Sequence, residues 1–208
     1  KGLPPPPKNI FKISDESLNT SSFCSTVSDV TVEGAVITAH ETEISAEGMY
    51  GGVVGAGMMS SIENCAVQAD ITIPDNTANA GLVGGGLELT SVIGSSASGT
   101  VTAGNNCYGL GGISGCGFGA EEFTDCTAEN VVITAGDSCY WIGGVTGYAG
   151  GYDVEEAGIP VTKVTGCKVS GTEITAGANA DGPPAPRPTD TYSSSRQLRQ
   201  SAPPWGKR

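Results

Sequence analysis

The chain has 208 residues, of which 32 are glycine and 15% are charged, and its formal net charge is −12 at pH 7. Glycine and β-branched residues disfavour helices and suit short strands with tight turns, and no apolar run reaches the roughly 18 residues of a membrane-spanning helix. Residues 13–182 contain 21 of the 22 acids but only two bases, Lys163 and Lys168, which argues against binding to nucleic acid or insertion into an anionic membrane.

Three segments of different composition follow one another along the chain. Residues 1–22 form a proline-rich N-terminal segment, in which Pro4–Pro7 favours a polyproline-II conformation. Residues 23–181 are predicted to form one β-rich repeat domain. Residues 182–208 combine Pro, Ser and Arg without periodicity and are predicted to be disordered. Because the chain starts at Lys1 and shows no signal peptide, we expect it to be a segment of a longer protein.

A glycine-rich anchor recurs four times in the repeat domain. It reads GGVVG at 51–55, GLVGG at 81–85, GGISG at 111–115 and GGVTG at 143–147, so its starts are 30, 30 and 32 residues apart. Its structural repeat glycines are Gly51, Gly52, Gly81, Gly111, Gly112, Gly143 and Gly144. Glycine is favoured where the backbone takes a positive φ or approaches another segment closely, and a tight corner needs this once per coil.

A second block follows each anchor and alternates apolar with polar residues, which is the period of a half-buried strand. Its copies are residues 62–73, 92–103, 123–135 and 164–176, and a partial copy at 27–39 precedes them. We predict three strands per unit: one at the anchor, one around the cysteine position and one at the end of the second block.

A unit made only of strands cannot bury its own apolar face, but stacked copies bury a continuous core. The sequence therefore predicts an all-β fold, a parallel β-helix (β-solenoid) of about five coils of roughly 30 residues. Right-handed coiling is expected from the preference of parallel crossovers. The composition of both tails makes them poor end caps, so neighbouring domains or other copies are expected to cover the ends.

Stacking places equivalent residues in ladders along the solenoid axis. The first ladder comprises Val30, Cys65, Ser95, Cys126 and Cys167. We predict that its side chains face inward and pack in the core, and the alternative is that some pair of its cysteines is oxidised. Cys107 and Cys139 share a second position and are the candidate pair for a disulfide. A third ladder contains Thr38, Thr72, Thr102, Thr134 and Thr175, whose hydroxyls can bond along the axis. Ice-binding arrays tend to carry two threonines per coil on one strand, and only Thr100 and Thr102 do so here, which does not favour ice binding.

The anchor followed by a hydrophobic-x-x-Cys block resembles the GLUG repeat, which is named after a Gly-Leu-x-Gly pattern. The closest matches are residues 80–84 and residues 141–147 with Cys167, and the resemblance covers about residues 27–177. GLUG repeats occur in large bacterial surface proteins, including adhesins and the non-catalytic part of immunoglobulin-A-cleaving metallopeptidases. The resemblance implies an exported β-rich repeat region and no catalytic residue.

Candidate binding residues lie near the anchors and in an insertion at residues 150–160. The aromatic residues beside the anchors, which either stack on sugar rings or cover coil corners, are Tyr50, Tyr108, Tyr140, Trp141 and Tyr148. The binding set that we select comprises Tyr108, Tyr140, Trp141 and Tyr148 with Asp153, Glu155 and Glu156 of the insertion. Those three acids are alternatively solvated loop residues or a weak Ca²⁺ site.

Catalytic constellations are not expected. His40 is the single histidine, so a two-histidine zinc site cannot form. Gly55 and Gly57 imitate the start of a dinucleotide-binding fingerprint, but the sequence after them continues into a strand rather than a helix. Glu121 and Glu122 form a dense acidic pair without a neighbouring Arg. We therefore predict no catalytic residue, no bound metal and no cofactor.

The expected function is that of a structural or adhesive repeat segment of an exported bacterial surface protein, located at the cell surface or secreted. A carbohydrate-binding module is the first alternative, and a polysaccharide-active β-helix enzyme is the second. The expected partners are host or cell-wall glycans, host surface proteins and neighbouring domains of a longer chain.

Overall fold

The computed structural model describes residues 21–39, 48–119, 121–150 and 162–180. All regular structure in these ranges is β-strand, and every strand pair is parallel. The predicted all-β fold, a parallel β-solenoid, is confirmed. No helix long and apolar enough to cross a membrane occurs in the described ranges.

The twenty described strands fall into five coils. Coil 1 comprises β1 (Ser21–Phe23), β2 (Thr26–Ser28) and β3 (Thr31–Thr38). Coil 2 comprises β4 (Tyr50–Gly51), β5 (Val54–Met58), β6 (Ser61–Glu63) and β7 (Ala66–Ile73). Coil 3 comprises β8 (Ala78–Gly81), β9 (Gly84–Glu88), β10 (Ser91–Ile93) and β11 (Ser96–Ala103). Coil 4 comprises β12 (Tyr108–Gly111), β13 (Ser114–Phe118), β14 (Glu122–Thr124) and β15 (Thr127–Ala135). Coil 5 comprises β16 (Tyr140–Gly143), β17 (Thr146–Gly150), β18 (Lys163–Thr165), β19 (Lys168–Ser170) and β20 (Glu173–Ala176).

Stacking of the coils produces four parallel sheets. The first sheet has the order β16-β12-β8-β4, the second β1-β5-β9-β13-β17 and the third β18-β14-β10-β6-β2. The fourth has the order β19-β15-β11-β7-β3, and β20 also pairs with β15. The described part of coil 1 lacks a first-sheet strand, so the described residues make four full turns and one partial turn.

The prediction of three strands per unit was wrong, because each full turn contributes strands to four sheets. The anchor forms two short strands rather than one, as β8 and β9 show on either side of residues 82–83. A Cβ at Gly81 would overlap the carbonyl oxygen of Gly84 and the backbone nitrogen of Gly115. The two anchor strands therefore approach closely enough that only glycine fits at the bend.

Close approach, rather than a positive φ, explains the anchor glycines. None of the seven structural repeat glycines has a positive φ. Left-handed residues instead stack at other corners, as Asn64, Gly94 and Asp125 do with φ of 52°, 58° and 53°. Asn and Asp tolerate this conformation better than other residues with a side chain, so these corners do not need glycine in every coil.

The core lies between the sheets of coils 2 to 4. Inward residues of the third sheet, Ile62, Val92 and Phe123, are in register and fully buried. In the fourth sheet, β7 alternates buried and exposed positions along its length. The predicted strand period therefore identifies the inward face of this sheet correctly.

Turns between the fourth and first sheets are joined by an axial ladder of Asx side chains. The Asn105 backbone N–H donates to Asp75 Oδ1 at 2.7 Å, and the Asp137 N–H donates to Asn105 Oδ1 at 2.8 Å. Each side chain thereby fixes the turn of the next coil, as an Asx turn does within one segment.

Several predictions concern segments outside the described residues. They are the nature of the N-terminal segment up to residue 20, the disorder of residues 182–208 and the insertion at 151–160. Strand β1 begins at Ser21, two residues before the predicted start of the repeat domain.

Candidate functional site

Four of the five predicted aromatic residues come together at coils 4 and 5. The rings of Tyr108 and Tyr140 stack with centroids 5.2 Å apart, because β12 and β16 place them in register. Trp141 stacks on Tyr148 at 4.3 Å and meets Tyr140 edge-on at 5.1 Å. All four residues are half-buried. This aromatic cluster (Tyr108, Tyr140, Trp141 and Tyr148) bridges the last strands of the first and second sheets.

Tyr50 does not join the aromatic cluster, contrary to its grouping from the sequence. It lies on β4, at the opposite edge of the first sheet from β16. It is in register with Ala80, which is itself paired with the buried Leu110. Tyr50 therefore packs against the core, and this burial raises the pKa of its hydroxyl.

Trp141 has an unusual backbone conformation for a bulky residue. Its φ of 56° lies in the left-handed region, at a ladder position that Asn79 and Gly109 occupy in coils 3 and 4. A large side chain is disfavoured in this region, so the ring contacts must offset the strain. Strain of this kind clusters at functional sites, and the half-buried rings offer apolar area against which a sugar ring could stack.

Glu121 occupies a corner ladder that the sequence reading missed. The equivalent positions in the other coils hold hydroxyl residues, namely Ser25, Ser60, Thr90 and Thr162. Glu121 is 1% exposed, and its Oε1 accepts the Leu89 backbone N–H at 3.2 Å. Its Oε2 lies 2.8 Å from Thr162 Oγ1. Burial raises the pKa of this carboxyl, although the contacts with Thr162 and the Leu89 N–H oppose the shift.

Glu122 points to the opposite side of the strand from Glu121. It begins β14, is exposed, and accepts a long hydrogen bond from Thr124 Oγ1 at 3.5 Å. The two glutamates therefore do not face one substrate as a paired acid and base would. The other acidic group of the prediction, Asp153, Glu155 and Glu156, lies outside the described residues.

The first cysteine ladder is confirmed as an inward position. Cys65, Ser95 and Cys126 are buried and Cys167 is half-buried. The thiols contact backbone carbonyl oxygens of the preceding coil, as between Cys126 Sγ and Val92 O at 3.2 Å. Burial raises the pKa of the Cys126 thiol to about 11, which keeps it protonated and unreactive near neutral pH.

The second ladder holds free thiols rather than a disulfide. Cys107 and Cys139 are fully buried, and the Cys107 N–H donates to Cys139 Sγ at 3.3 Å. Each thiol also lies 3.1 Å from a turn carbonyl of the preceding coil, Pro74 O for Cys107 and Gly104 O for Cys139. Thr77 is a third member of this ladder, because it precedes Ala78 as Cys107 precedes Tyr108.

The threonine ladder is also confirmed. Its five members are in register along the fourth sheet and are exposed. A side-chain hydrogen bond between adjacent coils lies beside this row and joins Thr100 Oγ1 to Asp70 Oδ1 at 2.7 Å. In coils 2 and 3 the outer face of the fourth sheet is therefore polar and axially bonded beside the threonines, whereas Val36 and Val132 are exposed at the same ladder position in coils 1 and 4.

A groove of about 340 Å³, which the sequence reading did not anticipate, lies on the second sheet near coil 1. Its apolar lining includes Phe23, Met49, Met58 and Leu87, and Glu88 also lines it. Phe23 is 63% exposed. The sequence signal for this groove is the large apolar pair Phe23 and Met58, at the ladder position where coil 3 carries Glu88.

No cluster of three or more metal-ligating side chains occurs in the described parts of the chain. Comparison with protein-family models, with curated proteins and with solved structures gives no match to this chain. The resemblance to GLUG repeats therefore depends on the sequence motifs alone.

Proposed function

We propose that the chain is a structural or adhesive repeat segment of an exported bacterial surface protein, secreted or held at the cell surface. In this role it is a rigid rod that spaces neighbouring domains and presents its faces to host or cell-wall glycans or host proteins. It has no catalytic role, cofactor or metal in this proposal.

One observation carries the proposal: the residues that recur in every coil are used to hold coils together. The anchor glycines permit close approach of strands, the inward Val, Ile and Phe residues form the core, and the thiols contact backbone carbonyls one coil away. With parallel strands about 4.8 Å apart, the five described coils span roughly 20 Å along the axis. Repetition in this chain therefore supports length and stiffness.

Carbohydrate binding is a second candidate function, which the aromatic cluster favours. Its four rings are half-buried and lie on coils 4 and 5, beside the last strands of the first and second sheets. Aromatic faces stack well on apolar faces of sugars. The mutual stacking of Trp141 and Tyr148 limits the ring area that remains for a ligand.

Binding of the full chain to immobilised mucin, host and plant glycans tests these two functions. A structural segment gives no saturable binding although circular dichroism shows folded β-structure. Saturable binding that Trp141→Ala abolishes would establish the carbohydrate-binding function instead. Trp205→Ala is the matched control, because it removes the other of the chain's two tryptophans.

The enzymatic alternative has its own test. Turnover of an acidic or plant polysaccharide by the full chain, lost in Glu121→Gln or Glu122→Gln, would overturn the structural proposal. We expect no turnover with either the original chain or the variants, since the two carboxyl groups point to opposite sides of the strand.

A further inference from the structure

Among the described residues, the two ends of the solenoid are edges of the same three sheets. At one end, the edge strands are β1, β2 and β3 of the second, third and fourth sheets. At the other end, β17, β18 and β19 with β20 are the edges of these sheets. Because all pairing is parallel, the first coil of one copy has the direction needed to extend the last coil of another.

The residue register of β3 in coil 1 matches that of coil 5 better than that of coil 2, with which β3 pairs. Strand β3 shifts register against β7 between Glu33 and Ala35, where Gly34 has a φ of 64°. Coil 5 has a left-handed residue at the equivalent place, Gly171 with a φ of 60°, and coil 4 has Asn130. Thr31 and Val36 are therefore as many residues apart as their equivalents Lys168 and Glu173 are. Strand β3 can for this reason pair with β19 and β20 without a register shift.

The inward apolar positions of the two ends are complementary. On coil 5, Val164, Val169 and Ile174 are 51%, 48% and 45% exposed, although their partners on coil 4 are fully buried. The equivalent positions on coil 1 are Val27, Val32 and Ile37, which are half-buried against the core. If coil 1 of one copy stacked on coil 5 of another, two valine pairs and one isoleucine pair would come into contact across the junction. All six side chains would thereby be removed from water.

Charge also differs between the ends. Lys163 and Lys168 are the only basic residues in the described ranges, and both lie on coil 5. Coil 1 carries Asp29 and Glu33 and no base in its described residues. In a continued ladder Glu33 would pair with Ser170, two residues from Lys168 on the same outer face, within reach of a long side chain.

We propose that copies of this chain stack head to tail, with β1 to β3 of one copy extending β17 to β20 of the next. The second, third and fourth sheets continue across the junction in register. The first sheet lacks one strand there, because coil 1 contributes none from its described residues. This contact joins two different surfaces, so it leaves a free end on each copy and permits growth beyond a dimer.

Sedimentation velocity of the full chain over a range of concentrations tests the proposal. The expected result is a series of species that grows with concentration from monomer through dimer to longer assemblies. Lys168→Glu should weaken association at least tenfold, because it places an acid diagonally across the junction from Glu33 of the next copy, on the same outer face. The double variant Lys168→Glu/Glu33→Lys should restore association, since it reverses the pair.

The controls separate a junction at the ends from general effects of charge or folding. Thr72→Glu/Thr102→Glu adds the same two negative charges to the outer face of the middle coils and should leave association unchanged. Val169→Asp introduces a charge into the apolar junction, and circular dichroism checks that it remains folded. A chain that stays monomeric at every concentration, a dimer that does not grow, or association indifferent to Lys168→Glu and Val169→Asp would overturn the proposal.

Discussion

Val92 and Val164 occupy the same inward ladder of the third sheet but differ in burial. Val92 on coil 3 is fully buried between Ile62 and Phe123, whereas Val164 on coil 5 is 51% exposed. Val92→Ala removes two methyl groups, worth about 0.8 kcal/mol each in transfer, and leaves a cavity between packed neighbours. We expect the free energy of unfolding to fall by about 2–3 kcal/mol for Val92→Ala.

Val164→Ala is the matched control, with the same chemical change at the same ladder position. Because about half of its side chain is exposed and no described coil covers it, its expected cost is below about 1 kcal/mol. Urea unfolding followed by far-ultraviolet circular dichroism measures both, at a dilution where the chain is monomeric. Equal costs, or a greater cost at Val164, would refute a core that is confined to the middle coils.

Three further predictions concern the corners and the cysteines. Burial raises the pKa of Glu121 above its ordinary value near 4.5, so stability is intact below that value and is lost as the pH rises through the folded pKa. Glu121→Gln should therefore stabilise the fold at pH values above the folded pKa. The midpoint of thermal unfolding should depend less on pH in Glu121→Gln than in the original chain. The exposed control Glu122→Gln should keep the original pH dependence. A pH dependence that Glu121→Gln retains and Glu122→Gln loses would contradict this prediction. Gly81→Ala should lower the free energy of unfolding in urea by more than about 2 kcal/mol, because its Cβ would meet only backbone atoms. Gly57→Ala is the control and should cost about 1 kcal/mol, since its Cβ would meet the Leu87 side chain at 3.0 Å. Similar costs for the two variants would argue against the tight anchor bend. A thiol reagent should label exposed Cys24 first, then half-buried Cys167, and the five buried thiols only on unfolding; immediate labelling of all seven would show that the ladders are open.

The sequence was most informative where one residue type recurs at one ladder position. The threonine row and the alignment of Cys65 with Cys126 predicted the register of the fourth sheet, because a parallel solenoid repeats its side chains axially. Strands as short as Tyr50–Gly51 carry no period, so the division of the anchor into two strands could not be predicted. The anchor glycines indicated close packing without showing which backbone atoms approach.

The candidate sites were harder to predict, since contacts between coils depend on which side of a strand each residue faces. Adjacency in the sequence suggests that Glu121 and Glu122 form one acidic pair. Alignment of Glu121 with Ser60, Thr90 and Thr162 would have shown it at a buried corner. Tyr50 and Tyr140 both lie close to an anchor in the sequence, which suggests that they belong together. In the first sheet, however, Tyr50 occupies the ladder position of Ile142, two residues from that of Tyr140.

The parallel ladders also give the rod a direction-dependent response to mechanical load. Hydrogen bonds between strands run along the axis, so tension applied to the two ends opens them a few at a time, as in peeling, rather than loading them together. Each coil of 30 residues that detaches can lengthen the molecule by about 100 Å, against about 4.8 Å for the folded coil. Under tension, such a rod would yield coil by coil and dissipate the load as extension.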